Sequence, residues 1–203
     1  MKLTVFGSTG RTGRLVLAEG SRRGHEMTAF TRRPQAIPGE LNLARVVSGD
    51  GREPEAVAAG VDGADAVIAI VSAESRKGPH QTEEVAKVIT GAMADAGVRR
   101  FVIMSAYPVA FDNPRLPVMI LRRVLRDAYA DLAGMERDVT ATDLDWTIAR
   151  FPRLVDRPAK GGVLISRGRL AKPTGITRAD VANTLVDLAE QDTYARAAVN
   201  VAG

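Results

Sequence analysis

A glycine-rich stretch at positions 6–14, which reads FGSTGRTGR, constrains the fold of this chain more than any other feature. Gly7, Gly10 and Gly13 are spaced three residues apart, between an apolar, β-branched run and a run typical of a helix. In a strand–glycine turn–helix unit, the turn leaves room for a pyrophosphate, and the first helical N–H groups bind it. The alternative is a glycine-rich turn without a ligand. The flanking strand and helix favour a dinucleotide-binding loop.

Segments typical of strands and helices alternate along the whole chain. Predicted strands cover 2–6, 25–31, 44–50, 64–72, 99–106, 144–151 and 197–203, and predicted helices cover 11–20, 54–61, 82–97, 116–140 and 177–191. This alternation predicts an α/β fold with a doubly wound parallel sheet and helices on both faces, the Rossmann fold. We expect a single domain over 1–203. The irregular segment 152–176 follows a strand at the ligand-binding edge, so we expect a flap beside the substrate.

Composition excludes several other classes of function. The chain has 203 residues, no cysteine and two histidines, so we predict neither a disulfide nor a metal site. The net charge is +4, but the arginines are scattered in pairs, so we expect no nucleic-acid partner. No window has the roughly 18 uncharged apolar residues of a membrane span. We therefore expect a cytoplasmic protein without a membrane partner, acting on a small molecule.

The end of the second predicted strand indicates which dinucleotide is bound. An acidic residue there would bind the ribose hydroxyls of NAD, whereas a basic one would bind the extra phosphate of NADP. The sequence has Arg32 and Arg33 and no carboxylate, which predicts NADP(H); the alternative is two surface arginines. Asp50, after the third strand, is placed to accept a hydrogen bond from the adenine amino group. The alternative for Asp50 is an ordinary Asp-Gly turn.

A missing motif narrows the chemistry. Many dehydrogenases use Tyr-x-x-x-Lys, in which the lysine lowers the tyrosine pKa for proton exchange with an alcohol or carbonyl. The tyrosines Tyr107, Tyr129 and Tyr194 are each followed four residues later by phenylalanine or alanine. Alcohol oxidation and sugar epimerisation by that route are therefore disfavoured. Hydride transfer to a flat conjugated acceptor needs little acid–base help and is the better candidate.

Six motifs occur in order along nearly the whole chain: VFGSTGRTG, FTRR, VSGD, ADAVIAIVS, FVIMSA and WTIARFPRLVD. In this the chain resembles the atypical short-chain dehydrogenases/reductases of the NmrA-like, NAD(P)-binding type, and most of all the flavin reductase/biliverdin reductase B family. The resemblance implies an NADPH-dependent reductase of a flavin-, quinone- or tetrapyrrole-type acceptor. The alternative is a non-catalytic NADP(H)-binding sensor or regulator, and only that alternative implies a protein partner.

The resemblance also implies roles for individual residues. It assigns Gly10, Arg11 and Thr12 to the pyrophosphate, Arg32 to the 2′-phosphate, Asp50 and Gly51 to the adenine, Val71, Ser72 and Ala73 to the ribose and nicotinamide passage, Met104 and Ser105 to the nicotinamide face, and Pro152, Arg153 and Leu154 to the cover of the nicotinamide end. Gly7, Thr9, Gly13 and Arg33 complete the predicted cofactor-binding set.

We predict two catalytic residues and no indispensable proton donor. Ser105 would orient the nicotinamide carboxamide or polarise an acceptor carbonyl, and Arg153 would hold an anionic or carbonyl-bearing acceptor. The chain departs from the reductase family at two places. Arg153 stands where that family carries a histidine, and Arg32 is not followed four residues later by a second arginine. Both departures bear on which acceptor is used.

Overall fold

Parallel strands with helices between them make up most of the protein. The computed structural model describes residues 1–71, 78–113 and 115–203. Its strands are β1 Lys2–Phe6, β2 Glu26–Thr31, β3 Arg45–Ser48, β4 Ala66–Ala69, β5 Arg100–Ala106, β6 Asp145–Phe151, β7 Leu154–Val155, β8 Leu164–Ser166, β9 Ile176–Thr177 and β10 Ala197–Ala202. Its α-helices are α1 Arg11–Arg22, α2 Pro54–Val61, α3 Thr82–Asp95, α4 Arg115–Val124, α5 Arg126–Thr140 and α6 Arg178–Glu190.

The central sheet has the strand order β3-β2-β1-β4-β5-β6-β10-β8. All neighbouring strands are parallel except β10 and β8, which pair antiparallel. The first strand, β1, pairs with β2 on one side and β4 on the other, so the strand order reverses between β1 and β4. Such a reversal opens a crevice at the carboxyl ends of the strands. The predicted doubly wound α/β sheet is confirmed, with one antiparallel edge strand that the alternation did not predict.

Helices cover both faces of the sheet, which explains the apolar strand sequences. One core lies between the sheet and helices α1 and α6, and the other lies between the sheet and helices α2, α3 and α5. Strand β4 is fully buried, with Ile68 facing the first core and Val67 the second. Burying one such side chain stabilises the fold by about 1.5–3 kcal/mol. Because both faces are covered, β4 carries no polar alternation.

The predicted helix over 116–140 is wrong in one respect, because the chain forms two helices there. Leu125 leaves the helical conformation at φ −112°, ψ 34°, between α4 and α5. The Arg122 side chain donates hydrogen bonds to the carbonyls of Pro108 and Val109, which ties α4 to the turn after β5. In α4 the apolar spacing does not predict burial along the whole helix, because Val118 is buried but Val124 is 69% exposed. Neither glycine nor proline stands at the break.

The segment 152–176 is more ordered than the sequence predicts. It contains β7 and β8 and ends in β9, and β8 extends the main sheet. The backbone N–H of Leu170 donates to the Tyr107 hydroxyl at 3.2 Å, and the backbone N–H of Gly161 donates to the Asp180 carboxylate at 3.0 Å. The segment is therefore tied to the turn after β5 and to α6. Its role as a flap beside the substrate stays a prediction.

The close packing of α1 on the first loop makes a stability prediction. A Cβ added at Gly13 would overlap the carbonyl oxygen of Gly7 and lie 2.8 Å from the Ser8 Cα. Backbone atoms cannot rotate away, so Gly13→Ala should lower the free energy of unfolding by about 1–3 kcal/mol. Denaturant unfolding followed by circular dichroism measures this loss.

Gly91 provides the matched control for that experiment. It lies in the exposed middle of α3, and a Cβ there would meet nothing within 4 Å. Gly91→Ala should therefore stabilise the protein by about 0.5–1 kcal/mol through helix propensity alone. If Gly13→Ala unfolds at the same denaturant concentration as the wild type, the close approach of α1 to the loop is not required.

Candidate functional site

A cleft of about 230 Å³ opens at the carboxyl ends of β1 to β4, where the strand order reverses. It brings together eight of the predicted cofactor-binding residues, which come from four separate stretches of the chain. These are Gly7, Thr9, Gly10, Arg32, Arg33, Asp50, Gly51 and Val71. Ser72 and Ala73 lie outside the described residues. The fold therefore gathers the glycine loop, the arginine pair and the Asp-Gly turn into a single wall.

The structure explains the glycine at each of the three loop positions in a different way. Gly7 has φ +76°, a conformation that favours glycine, and a Cβ there would overlap the carbonyl of Ile70, just after β4. Gly13 is required for the packing of α1. Gly10 is exposed, and a Cβ there would meet only the Gly7 carbonyl oxygen, at 3.3 Å. The space above Gly10 is thus open to a ligand and is not needed by the protein.

The loop ends at a helix terminus suited to an anion. Gly10 is the N-cap of α1, and within the described residues no side chain caps the first turn. The first turn also carries no acidic side chain. A helix N-terminus without a side-chain cap leaves N–H groups and the positive end of the helix dipole available to an anion such as a pyrophosphate.

The arginine pair follows β2 at the mouth of the cleft. Arg32 and Arg33 are both exposed and both line it. Opposite them, Asp50 pairs with Arg52, whose Nη2 lies 2.8 Å from Asp50 Oδ2 and whose Nε lies 3.0 Å from Oδ1. These hydrogen bonds, aided by the charge of Arg32, lower the pKa of Asp50 to about 2. Asp50 is therefore ionised at neutral pH, with its charge shared with Arg52.

The two hydroxyl groups at the end of β5 are both engaged by the protein. The buried Ser105 hydroxyl donates to Glu136 of α5 at 2.6 Å, and Arg150 of β6 donates to the same carboxylate at 2.9 Å. The Tyr107 hydroxyl, also buried, donates to Asn113 Oδ1 at 2.6 Å and accepts from the Leu170 N–H. Neither hydroxyl is placed to exchange a proton freely with a ligand.

The remaining predicted residues lie outside the wall of this cleft. Thr12 and Gly13 are buried in the first turn of α1. Met104 and Pro152 are half-buried at the ends of β5 and β6, and Arg153 is exposed. Arg11 is exposed and pairs with Asp156 at 2.7 Å, and this carboxylate also accepts from Arg178 at 2.6 Å. The catalytic roles predicted for Ser105 and Arg153 stay predictions.

Comparison with known protein families adds to this geometry. The family profile described as NAD(P)H-binding matches residues 7–192, from the glycine loop to just beyond α6. The chain belongs to the NAD(P)H-binding family. The resemblance drawn from the sequence motifs is thereby confirmed at the level of an NAD(P)-binding Rossmann protein. The family description names both cofactors, so the choice between NADH and NADPH falls to the residues of the cleft.

Three solved structures of similar fold extend the comparison. The oxidoreductase ylbE from Lactococcus lactis is 25% identical with a TM-score of 0.85, over 100% of this chain and 91% of its own. An anaerobilin reductase, ChuY from Escherichia coli O157:H7, is 19% identical with a TM-score of 0.86, over 100% and 97%. A short-chain dehydrogenase/reductase from Veillonella parvula, in complex with NADP, is 17% identical with a TM-score of 0.83, over 100% and 94%.

Sequence reasoning missed several residues that line this cleft. Gln81 and Val85 line it from the start of α3, and Pro79 lies just before them. Because α3 follows β4, its first turn had to lie at the same sheet edge, and that connection was the available signal. Glu136 was also missed. Its position on α5, far along the chain from Ser105, gave no local signal of the contact.

Neither a metal site nor a membrane-spanning helix is found among the described residues. No three histidine, aspartate or glutamate side chains in the ranges 1–71, 78–113 and 115–203 come together as a possible metal site. Across those same ranges, each helix falls short of the length and apolar character that a membrane crossing requires.

The open space above Gly10 makes a binding prediction. Gly10 has φ −69°, ψ 164°, an extended conformation that valine adopts easily, so Gly10→Val should fold normally. Its branched side chain would occupy the space of a bound pyrophosphate and should abolish detectable NADPH binding. Isothermal titration calorimetry on the purified variant measures this, with circular dichroism to verify folding.

Gly39→Val is the matched control for Gly10→Val. Gly39 is exposed on a loop outside the cleft, and a Cβ there would meet nothing within 4 Å. This variant should bind NADPH like the wild type. A folded Gly10→Val protein that binds NADPH normally would contradict the assignment of the glycine loop to the cofactor phosphates.

Proposed function

We propose that the protein is an NADPH-dependent reductase that transfers hydride to a flat conjugated acceptor of the flavin, quinone or tetrapyrrole type. The observation that carries the proposal is the state of the hydroxyls at the end of β5. Ser105 donates to Glu136, and Tyr107 is bonded to Asn113 and Leu170. A reaction that needs a protein proton donor is poorly served there, whereas a reduced conjugated ring takes its proton from water.

The described cleft fits the proposed cofactor. The uncapped first turn of α1 suits the pyrophosphate, and the open space above Gly10 admits it. Arg32 and Arg33 stand where a 2′-phosphate needs cations, and a guanidinium binds phosphate through a bidentate fork. One structural neighbour is bound to NADP, which agrees with this choice.

In this mechanism the chain binds and orients, and NADPH when bound supplies the hydride. Arg32 holds the 2′-phosphate, the loop at Gly10 holds the pyrophosphate, and Asp50 accepts from the adenine amino group. The Ser105–Glu136–Arg150 hydrogen bonds fix the ends of β5 and β6, beside which the nicotinamide of a bound cofactor would lie. Holding the two flat rings in a fixed orientation would lower the barrier to hydride transfer.

The acceptor would enter on the side of the segment 152–176. Arg153 is exposed just after β6, and we propose that it holds an anionic or carbonyl-bearing group of the acceptor. The proposed partner is therefore a small molecule and neither nucleic acid nor membrane. The proposed compartment is the cytoplasm, whose reducing conditions agree with a chain that has no cysteine.

A non-catalytic NADP(H) sensor is the second candidate. The same engaged hydroxyls favour it, since a sensor needs no free proton donor. A reductase and a sensor differ in whether NADPH is consumed. Incubating the protein with NADPH and a panel of flavins, quinones and open-chain tetrapyrroles, and following the loss of NADPH absorbance, decides between them. Tight NADPH binding without turnover on the whole panel would favour the sensor.

The engaged hydroxyls predict small effects on the chemical step. Ser105→Ala removes one orienting hydrogen bond, so kcat should fall between a few-fold and about tenfold, which corresponds to about 0.5–1.5 kcal/mol. Tyr107→Phe should leave kcat nearly unchanged. It should lower the free energy of unfolding by about 1–3 kcal/mol, because the Leu170 N–H loses its buried acceptor.

Steady-state kinetics with the best acceptor of the panel test both variants, below their unfolding temperatures. A thousandfold drop in kcat for Tyr107→Phe, at unchanged NADPH affinity, would mean that a tyrosine-driven mechanism operates.

The arginine pair predicts the cofactor preference. Arg32→Ala removes a charge-assisted contact worth about 1.5–3 kcal/mol, so NADPH should bind about ten- to a hundredfold more weakly. NADH lacks the 2′-phosphate and provides the internal control, so its affinity should barely change. Titration of both cofactors gives the two dissociation constants. Equal weakening of NADPH and NADH would show that Arg32 serves the shape of the cleft and not the phosphate.

A further inference from the structure

A carboxylate stands at the edge of the proposed 2′-phosphate site. Asp50 lines the same cleft as Arg32 and Arg33, and the charge of Arg32 is felt at its carboxyl group. A phosphate bound by Arg32 would therefore lie within the electrostatic range of Asp50. A carboxylate in the same cleft wall repels a 2′-phosphate, and this repulsion is how acidic residues in such sites favour NAD over NADP.

Arg52 is the group that counters this carboxylate. Its Nη2 lies 2.8 Å from Asp50 Oδ2, its Nε lies 3.0 Å from Oδ1, and its backbone N–H donates to Oδ1 at 3.0 Å. The guanidinium thus covers both carboxylate oxygens in a bidentate fork, the strongest arrangement of this pair. The positive charge lies within hydrogen-bond distance of the negative one, so the field of the pair falls off quickly toward the cleft.

We propose that Arg52 is a specificity-determining residue, which favours NADPH over NADH by neutralising Asp50 beside the 2′-phosphate. The inference rests on the proposed use of NADPH. It adds to Arg32 a second cation that acts through a carboxylate and not on the phosphate itself. It also explains how Asp50 could accept a hydrogen bond from the adenine amino group while a 2′-phosphate is bound nearby.

A purely structural role explains the pair less well. Both residues belong to the short turn between β3 and α2, two positions apart, and the Arg52 side chain is 41% exposed. Exposed pairs of this kind contribute little to stability because solvent screens them and ordering the side chains opposes them. Removing the Arg52 guanidinium should therefore leave the fold intact and change the charge at the cleft.

The test is a double-mutant cycle on the full chain. Dissociation constants for NADPH and NADH are measured by calorimetry for the wild type and for Arg52→Gln, Asp50→Asn and the double variant. Asparagine at position 50 keeps a carbonyl oxygen that can accept from the adenine amino group. NADPH and NADH share every contact except the 2′-phosphate, so the ratio of their constants isolates the effect on that phosphate.

Arg99→Gln is the matched control. Arg99 makes the same kind of exposed bidentate pair, with Asp145, at 3.0 and 3.3 Å, but it precedes β5 at the opposite edge of the sheet. Arg99→Gln removes the same net charge from the protein, so it reports any effect of overall charge on cofactor binding. Its NADPH/NADH ratio should equal that of the wild type.

Arg52→Gln should weaken the binding of NADPH about five- to tenfold and that of NADH less than about twofold, because the negative charge of Asp50 is then no longer neutralised. In the double variant the dissociation constant for NADPH should return to within about twofold of the wild-type value, because position 50 then carries no carboxylate to repel the phosphate.

Each of the following outcomes would overturn the inference. No recovery in the double variant would mean that Arg52 contacts the phosphate directly. Equal weakening of both cofactors would mean a structural role, and an unchanged NADPH constant in Arg52→Gln would mean no role. A wild type with no preference for NADPH would overturn the proposed cofactor together with this inference. A preference for NADPH that is as large in Arg52→Gln as in the wild type overturns this inference alone.

Discussion

The close approach of backbone to backbone at the start of the chain is the constraint on which the site depends. Gly7 lies against the carbonyl of Ile70 just after β4, and α1 packs through Gly13 onto the same loop. Three elements thereby meet without side chains between them, at the point where the strand order reverses. Gly10, the N-cap of α1, lines the cleft and α1 has no side-chain cap, so the loop required by the packing of the fold is also the loop that we propose for phosphate binding.

Away from that loop, the ends of the strands are locked by polar side chains. Ser105 on β5 and Arg150 on β6 are register partners, and both bind Glu136, which α5 brings over the sheet. Buried hydrogen-bonded groups of this kind hold one geometry, because any member left without its partner would carry a desolvation penalty. The wall of the cleft at Arg32 and Arg33 is thus exposed and cationic. At the end of β5, by contrast, the Ser105 and Tyr107 hydroxyls are hydrogen-bonded to protein side chains.

Several arginines in and near the cleft form ion pairs with neighbouring carboxylates. Asp156 takes the guanidinium of Arg11 at the start of α1 and that of Arg178 at the start of α6, so a carboxylate from the segment 152–176 joins two helix N-termini. Asp50 and Arg52 form a second such pair, in the wall of the cleft. In both places a cation near the proposed cofactor is balanced by a carboxylate, which moderates the positive field of the arginines in this part of the molecule.

The sequence by itself determined the sheet, the glycine loop and the arginine pair. Strand length, β-branched runs and the fixed spacing of Gly7, Gly10 and Gly13 are local, and the parallel topology follows from the alternation of elements. Only the tertiary structure decided the break at Leu125, the antiparallel strand β8 and the engagement of Ser105 by Glu136. These depend on contacts between residues far apart in the chain, whose free energies have no signature in the local pattern of either partner.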